Sequence, residues 1–159
     1  MFEAVRHASL PRRIAIGVPL GLLGGAYLSQ YGFGLAPCEM CWWQRYALFT
    51  ALPFGLFAWL HPPARMMTAL ALLGILAGGL IGGFHAGVEN GWWEGLTACS
   101  TGVKAGSGDA LDAIMNAPVI RCDVAPWSLL GISLAGWNFL ISVPLALLGL
   151  AKLAKVGVR

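Results

Sequence analysis

Uncharged apolar length constrains this chain more than any other feature. Residues 14–33, 66–84 and 128–151 run for 20, 19 and 24 positions without a charged side chain, and residues 42–60 carry only Arg45. About 20 apolar residues cross a hydrocarbon core of roughly 30 Å. The pattern therefore predicts an all-α membrane protein: one domain over residues 1–159, built as a bundle of four transmembrane helices at approximately 14–33, 42–60, 66–88 and 128–151. Composition agrees. Only 11% of residues are charged, against about 25% in a soluble domain, and the mean hydropathy is +0.73. A net charge of +3, with basic residues gathered near the termini, provides no basic face and argues against nucleic acid as a partner. Arg6, Arg12 and Arg13 ahead of an apolar run imitate a secretory signal. That run is too long for one and no clean A-x-A site follows, so it is read as a retained first span.

Charge sets the expected orientation. Arg6, Arg12, Arg13, Arg65, Lys152, Lys155 and Arg159 fall on one side of a four-span bundle, and Arg45, Lys104 and Arg121 on the other. The positive-inside rule then places both termini in the cytoplasm. The outer loops become 34–41 and 89–127, and all four cysteines, Cys38, Cys41, Cys99 and Cys122, lie outside, where disulfides persist. Trp42, Trp43, Trp92, Trp93 and Trp127 fall at the outer ends of spans, where an aromatic belt belongs. Trp137, ten residues into the last span, is expected near the midplane in a packing role.

The first outer loop is short, which holds Cys38 and Cys41 at the membrane surface. Pro37 pre-sets the backbone for a helix starting there. A helix N-terminus favours a thiolate. Arg45 stands four residues after Cys41 and seven after Cys38, so the three share a helical face. A cation in a membrane helix is a functional candidate, and its candidate partners are a cysteine thiolate or the carbonyl of a bound redox ring. Snorkelling to lipid headgroups is its plainer role.

The second outer loop is long enough to be functional. Asp109 can cap a short amphipathic helix with Leu111, Ile114 and Met115 on one face, lying on the bilayer. Gly102, Gly106 and Gly108 surround Cys99 with freedom, and the 23-residue separation of Cys99 and Cys122 suits a disulfide between loop arms. His85 ends the third span, placed to meet a ligand or headgroups, with Glu89 one turn later as a possible pair.

Three chemistries compete for the cysteines. Zinc needs four ligands in one place, and Cys99 and Cys122 lack the repeated close spacing of structural zinc sites, so no metal is expected. Two structural disulfides are a second reading, but C-x-x-C closes a loop too short to remove much chain entropy. Electron exchange suits it better. No haem, dinucleotide or iron–sulfur motif accompanies it, which leaves a hydrophobic acceptor dissolved in the bilayer, with a quinone the obvious candidate.

"PCEMCWWQRYALF", "FHAGVENGWWEGLTAC" and "CDVAPWSLLGISLAGWN", with four spans and two cysteine pairs across the whole chain, resemble the DsbB family. These are bacterial inner-membrane enzymes that reoxidise a periplasmic dithiol oxidase. The resemblance implies a DsbA-like thioredoxin-fold partner, ubiquinone or menaquinone as acceptor, and a multi-pass protein with its cysteines facing the periplasm. It implies that Cys99 takes the partner's thiolate, that Cys122 is its disulfide partner, and that exchange involving Cys38 and Cys122 passes electrons to Cys38–Cys41. Cys41 would meet the quinone, Arg45 would polarise a quinone carbonyl, and His85 would lie near the quinone. A partner at about −120 mV needs an acceptor of higher potential, as a quinone is. Met40 stands where family members often carry a branched apolar residue, Glu39 lies inside the pair, and "FHAGVENGWW" resembles one subgroup of the family more than its best-known member; these departures leave quinone and partner choice open. A vitamin-K-epoxide-reductase-like enzyme is the alternative; there the C-x-x-C falls late in the chain. A membrane scaffold with two structural disulfides is the non-enzymatic one.

Overall fold

A computed structural model describes residues 2–62, 64–97 and 120–156, with backbone only for 2–9 and 156. Cys99, the expected amphipathic helix around Asp109–Met115 and the glycines near Cys99 lie outside the described residues. Four long helices form the bundle: α1 (Phe2–Gly32), α2 (Glu39–Leu60), α3 (Arg65–Glu89) and α4 (Leu134–Val156). Two short strands, β1 (Ser128–Leu129) and β2 (Ile132–Ser133), pair antiparallel just before α4.

Among the described residues, three helical stretches are long and apolar enough to cross a membrane: Leu10–Gly32, Arg65–Glu89 and Leu134–Lys155. Only 28%, 39% and 33% of their most apolar windows is buried within the protein, so most of that apolar surface faces outward, as lipid contact requires. α2 has 22 residues, enough length to span, but Glu39, Gln44 and Arg45 in its first two turns lower its hydropathy.

The last helix differs from expectation. The uncharged run begins at 128, yet the helix begins at Leu134, because Leu130 and Gly131 both adopt positive φ, 55° and 78°. That two-residue turn closes the β1–β2 hairpin and cannot continue a helix. Trp137 is consequently in the first turn of α4 and not at mid-span. Its indole Nε1–H donates to Leu129 O at 3.3 Å, tying helix to hairpin.

α3 is the centre of the bundle, packed most extensively on α2 and α4. Small residues make this possible. On one face of α3, Gly74 and Gly78 receive Ala47 and Ala51 of α2; on another, Gly79 and Gly83 receive Ser142, Val143 and Phe139 of α4. Without a hydrophobic force between helices in lipid, such close backbone approach supplies the dispersion contacts that hold a bundle. Gly55 of α2 likewise lies against the main chain of Ala15 in α1. The apolar core of Ile14, Leu23, Leu48, Leu72 and Ile75 occupies one part of the bundle. A second cluster of Cys38, Met40, Val88 and Cys122 occupies the end where the short α1–α2 connection and the α3–α4 connection meet.

Candidate functional site

Gly34, at φ 69°, turns the chain out of α1, and Pro37 precedes the start of α2. Cys38 is the N-cap of α2, its sulfur accepting the Cys41 main-chain N–H at 3.4 Å. Cys41 is in the first turn, as Pro37 suggested. The two sulfurs are 3.2 Å apart, with the Cys38 S–H donating to Cys41. That contact and burial push the Cys38 thiol up to about 12. The same hydrogen bond holds Cys41, at the helix start ahead of residues 42–60, below the ordinary thiol value. The pair therefore carries its first negative charge on Cys41.

His85 is buried in α3. Its Nε2 is 3.5 Å from Cys38 Sγ and 3.7 Å from Glu89 Oε1. Glu89 is one turn along, as its spacing allowed, and its Oε2 is buried without a hydrogen-bond partner among the described residues. His85 is thus a neighbour of Cys38 rather than a headgroup ligand. Cys38, Cys41 and His85 offer three donor atoms within 4.8 Å of one another, a set a thiophilic cation can use; occupation by one would block both sulfurs. Cys122 is buried in the cluster that holds Cys38, and Thr97 Oγ1 donates to its sulfur at 3.3 Å.

Arg45 points the other way. Its guanidinium donates to Gln30 Oε1 at 2.6 Å and Ala26 O at 3.2 Å, and lies 5.0 Å from the ring centroids of both Tyr27 and Trp42. These contacts bury it to 6% exposure, so it is held by α1 and does not snorkel. Arg45 and Cys41 nevertheless line one cavity of about 220 Å³, with Gln44, Pro126, Trp137 and Asn138. A second cavity, about 340 Å³, reaches Cys38, Cys41 and His85 past Arg121 and Ile120. Cys41 is common to both.

Gln44, Asn138 and Ser142 are functional candidates that sequence reasoning passed over. Asn138 donates to Gln44 Oε1 at 2.7 Å and Gly78 O at 3.1 Å, and Ser142 donates to Asn138 Oδ1 at 2.8 Å. Their signal was available: amides inside apolar spans, with Asn138 and Ser142 one turn apart.

The start of the α3–α4 connection is anchored by Trp93, which stacks on Phe84 with ring centroids 5.6 Å apart and donates to Phe84 O at 2.9 Å. Gly87 admits the indole, since a Cβ there would meet it at 2.0 Å.

Residues 10–152 match the family described as "Disulfide bond formation protein DsbB". The chain is 31% identical over 160 residues to disulfide bond formation protein B of Polaromonas sp. (strain JS666 / ATCC BAA-500), covering 93% of this chain and 94% of that one. It is 35% identical over 165 residues to the protein of that name from Verminephrobacter eiseniae (strain EF01-2), covering 94% and 89%. With that of Aromatoleum aromaticum (strain DSM 19018 / LMG 30748 / EbN1) it shares 31% over 146 residues, 85% and 86% of the two chains. No solved structure gives a significant match.

Proposed function

Because the chain belongs to the DsbB family of disulfide bond formation membrane proteins, we propose that it is a quinone-dependent protein-dithiol oxidase. It reoxidises a DsbA-like thioredoxin-fold partner from a four-span, N-in/C-in position in the bacterial inner membrane, with its cysteines facing the periplasm. One observation carries the reading: the Cys38–Cys41 pair, sulfurs 3.2 Å apart, stands between a cavity reached past the second outer connection and an apolar cavity lined by Cys41 and Arg45.

The division of labour follows. Cys99 receives the partner's thiolate and releases Cys122. Cys122 shares a buried cluster with Cys38, which supports exchange between these two sulfurs. Attack on Cys38 breaks the Cys38–Cys41 bond and leaves the electron pair on Cys41, the sulfur the site favours as thiolate. The cavity of about 220 Å³ beside Cys41 is the candidate site for the quinone ring, with Arg45 N–H groups as carbonyl donors. The partner's second thiol displaces Cys99, which re-forms its disulfide with Cys122 and releases Cys38 as a thiolate that takes up a proton; a quinone held beside Cys41, ubiquinone or menaquinone, would then accept two electrons and two protons from the Cys38–Cys41 dithiol. Cys38 then bonds to Cys41 again, and the pair is ready for another exchange.

The test uses the full-length protein in detergent. With a reduced thioredoxin-fold substrate it should reduce a short-chain ubiquinone analogue, and Cys41→Ser should abolish that turnover. Normal turnover in Cys41→Ser would sink the assignment.

A further inference from the structure

We infer that the buried amides of Gln44 and Asn138 hold the His85 ring in its Nε2–H tautomer, so that His85 is a hydrogen-bond donor to Cys38 and not the base that removes its proton. The inference rests on the reading of Cys38 as a redox sulfur, but the argument for the tautomer is independent of it.

Two main-chain carbonyls, which only accept, fix the orientation of both amides. Gly78 O faces the Asn138 side chain at 3.1 Å, so the atom presented there is the amide nitrogen. The same nitrogen reaches Gln44 at 2.7 Å and requires an acceptor, which makes that atom Oε1. The other arm of Gln44 is then Nε2, and a second carbonyl agrees: Met40 O accepts from it at 3.3 Å. Gln44 Nε2 also stands 3.0 Å from His85 Nδ1. A donor there requires a lone pair on Nδ1, and the ring proton is left on Nε2. Ser142, donating to Asn138 Oδ1 at 2.8 Å, secures the far end.

The Nε2 side is built to receive that proton. It faces Cys38 Sγ at 3.5 Å and the Glu89 carboxylate at 3.7 Å. Moving the proton to Nδ1 would set two N–H groups against each other. Relieving that by flipping Gln44 would oppose Oε1 to Met40 O and Nε2 to the Asn138 amide. Each unsatisfied buried group shifts such an equilibrium by about five- to 150-fold, so the ladder selects one tautomer.

The choice matters because disulfide exchange at Cys38 places negative charge on its sulfur, either as attacking or as leaving thiolate. An N–H aimed at that sulfur stabilises the charge. A histidine that takes the cysteine proton needs an acceptor for its other nitrogen, and here that nitrogen meets a donor. Gln44 and Asn138 are positioning residues that act through His85.

The chain has three histidines, so ¹⁵N-histidine labelling of the reduced full-length protein, with neither quinone nor partner added, resolves the ring, and His85→Gln assigns it. Wild type should show the Nε2–H pattern. Asn138→Asp, which does not touch the ring, presents an acceptor to Gln44, reverses its amide and should shift the Nδ1 resonance to the protonated position. A wild-type ring protonated on Nδ1, or an Asn138→Asp spectrum identical to wild type, would overturn the inference whatever the turnover assay gives. Should Asn138→Asp not fold, the wild-type spectrum decides alone.

Discussion

Replacing Arg45 by methionine separates the quinone end of the site from its thiol end. A guanidinium has five N–H groups, and the bonds to Gln30 and Ala26 engage one on each terminal nitrogen. Donors therefore remain for the cavity that Arg45 lines with Cys41. A hydrogen bond from a charged donor contributes about 1.5–3 kcal/mol, and each 1.4 kcal/mol is tenfold in an equilibrium constant. Loss of one guanidinium–carbonyl contact should raise the KM for quinone by about 10- to 150-fold. Cys38 faces His85 on the other side of the pair, so exchange with a thioredoxin-fold substrate should be unchanged. Arg45→Lys should fall between the two. It keeps the charge but cannot reproduce a fork that holds α1 and lies beside both Tyr27 and Trp42. The assay is quinone absorbance at saturating reduced substrate, with single-turnover mixed-disulfide formation in the absence of quinone as the control. A quinone KM within twofold of wild type in Arg45→Met would refute the reasoning, as would an equal loss in the mixed-disulfide step.

The thiols should titrate in a defined order. Cys41 is held below the ordinary thiol value, so its thiolate appears at lower pH, whereas Cys38 at about 12 stays protonated through neutral pH. Iodoacetamide should therefore modify Cys41 before Cys38 in the reduced protein, read by peptide mass spectrometry across pH 6–10, and prior modification of Cys38 would contradict the order. In Cys41→Ser the Cys38 profile should move down in pH, because the largest cause of its elevation is removed. Packing gives a further expectation. A Cβ at Gly55 would lie 2.4 Å from Ala15 O, a main-chain atom that moves only with α1. Gly55→Ala should destabilise by about 1–3 kcal/mol, while Gly17→Ala, with nothing within 4 Å, should be neutral or stabilising; equal melting temperatures would argue against the packing.

Local signals were enough to read four long apolar helices, though not their bounds (the first begins at Phe2, well ahead of residue 14), the placement of Cys38 and Cys41 at the head of α2, and the i, i+4 neighbours Cys41–Arg45 and His85–Glu89. Each depends on hydropathy summed over a window or on helical spacing, and both are properties of the chain itself. The start of α4 was misread because hydropathy does not distinguish an apolar hairpin from an apolar helix; the positive φ at Leu130 and Gly131 does. The site's long-range partners were beyond any local pattern. Cys38 meets His85 across 47 residues and Gln44 meets Asn138 across 94. The direction Arg45 takes, toward Gln30 and Ala26 of α1, is set by which helix packs beside it. Sequence alone thus determined a membrane-embedded bundle with a C-x-x-C at the lip of a helix, since burial in lipid demands long apolar runs wherever they end up. Tertiary structure decided which side of each sulfur faces a histidine and which an apolar cavity. That outcome depends on close helix contacts at glycines and on a buried amide ladder, and both exist only once α2, α3 and α4 have met.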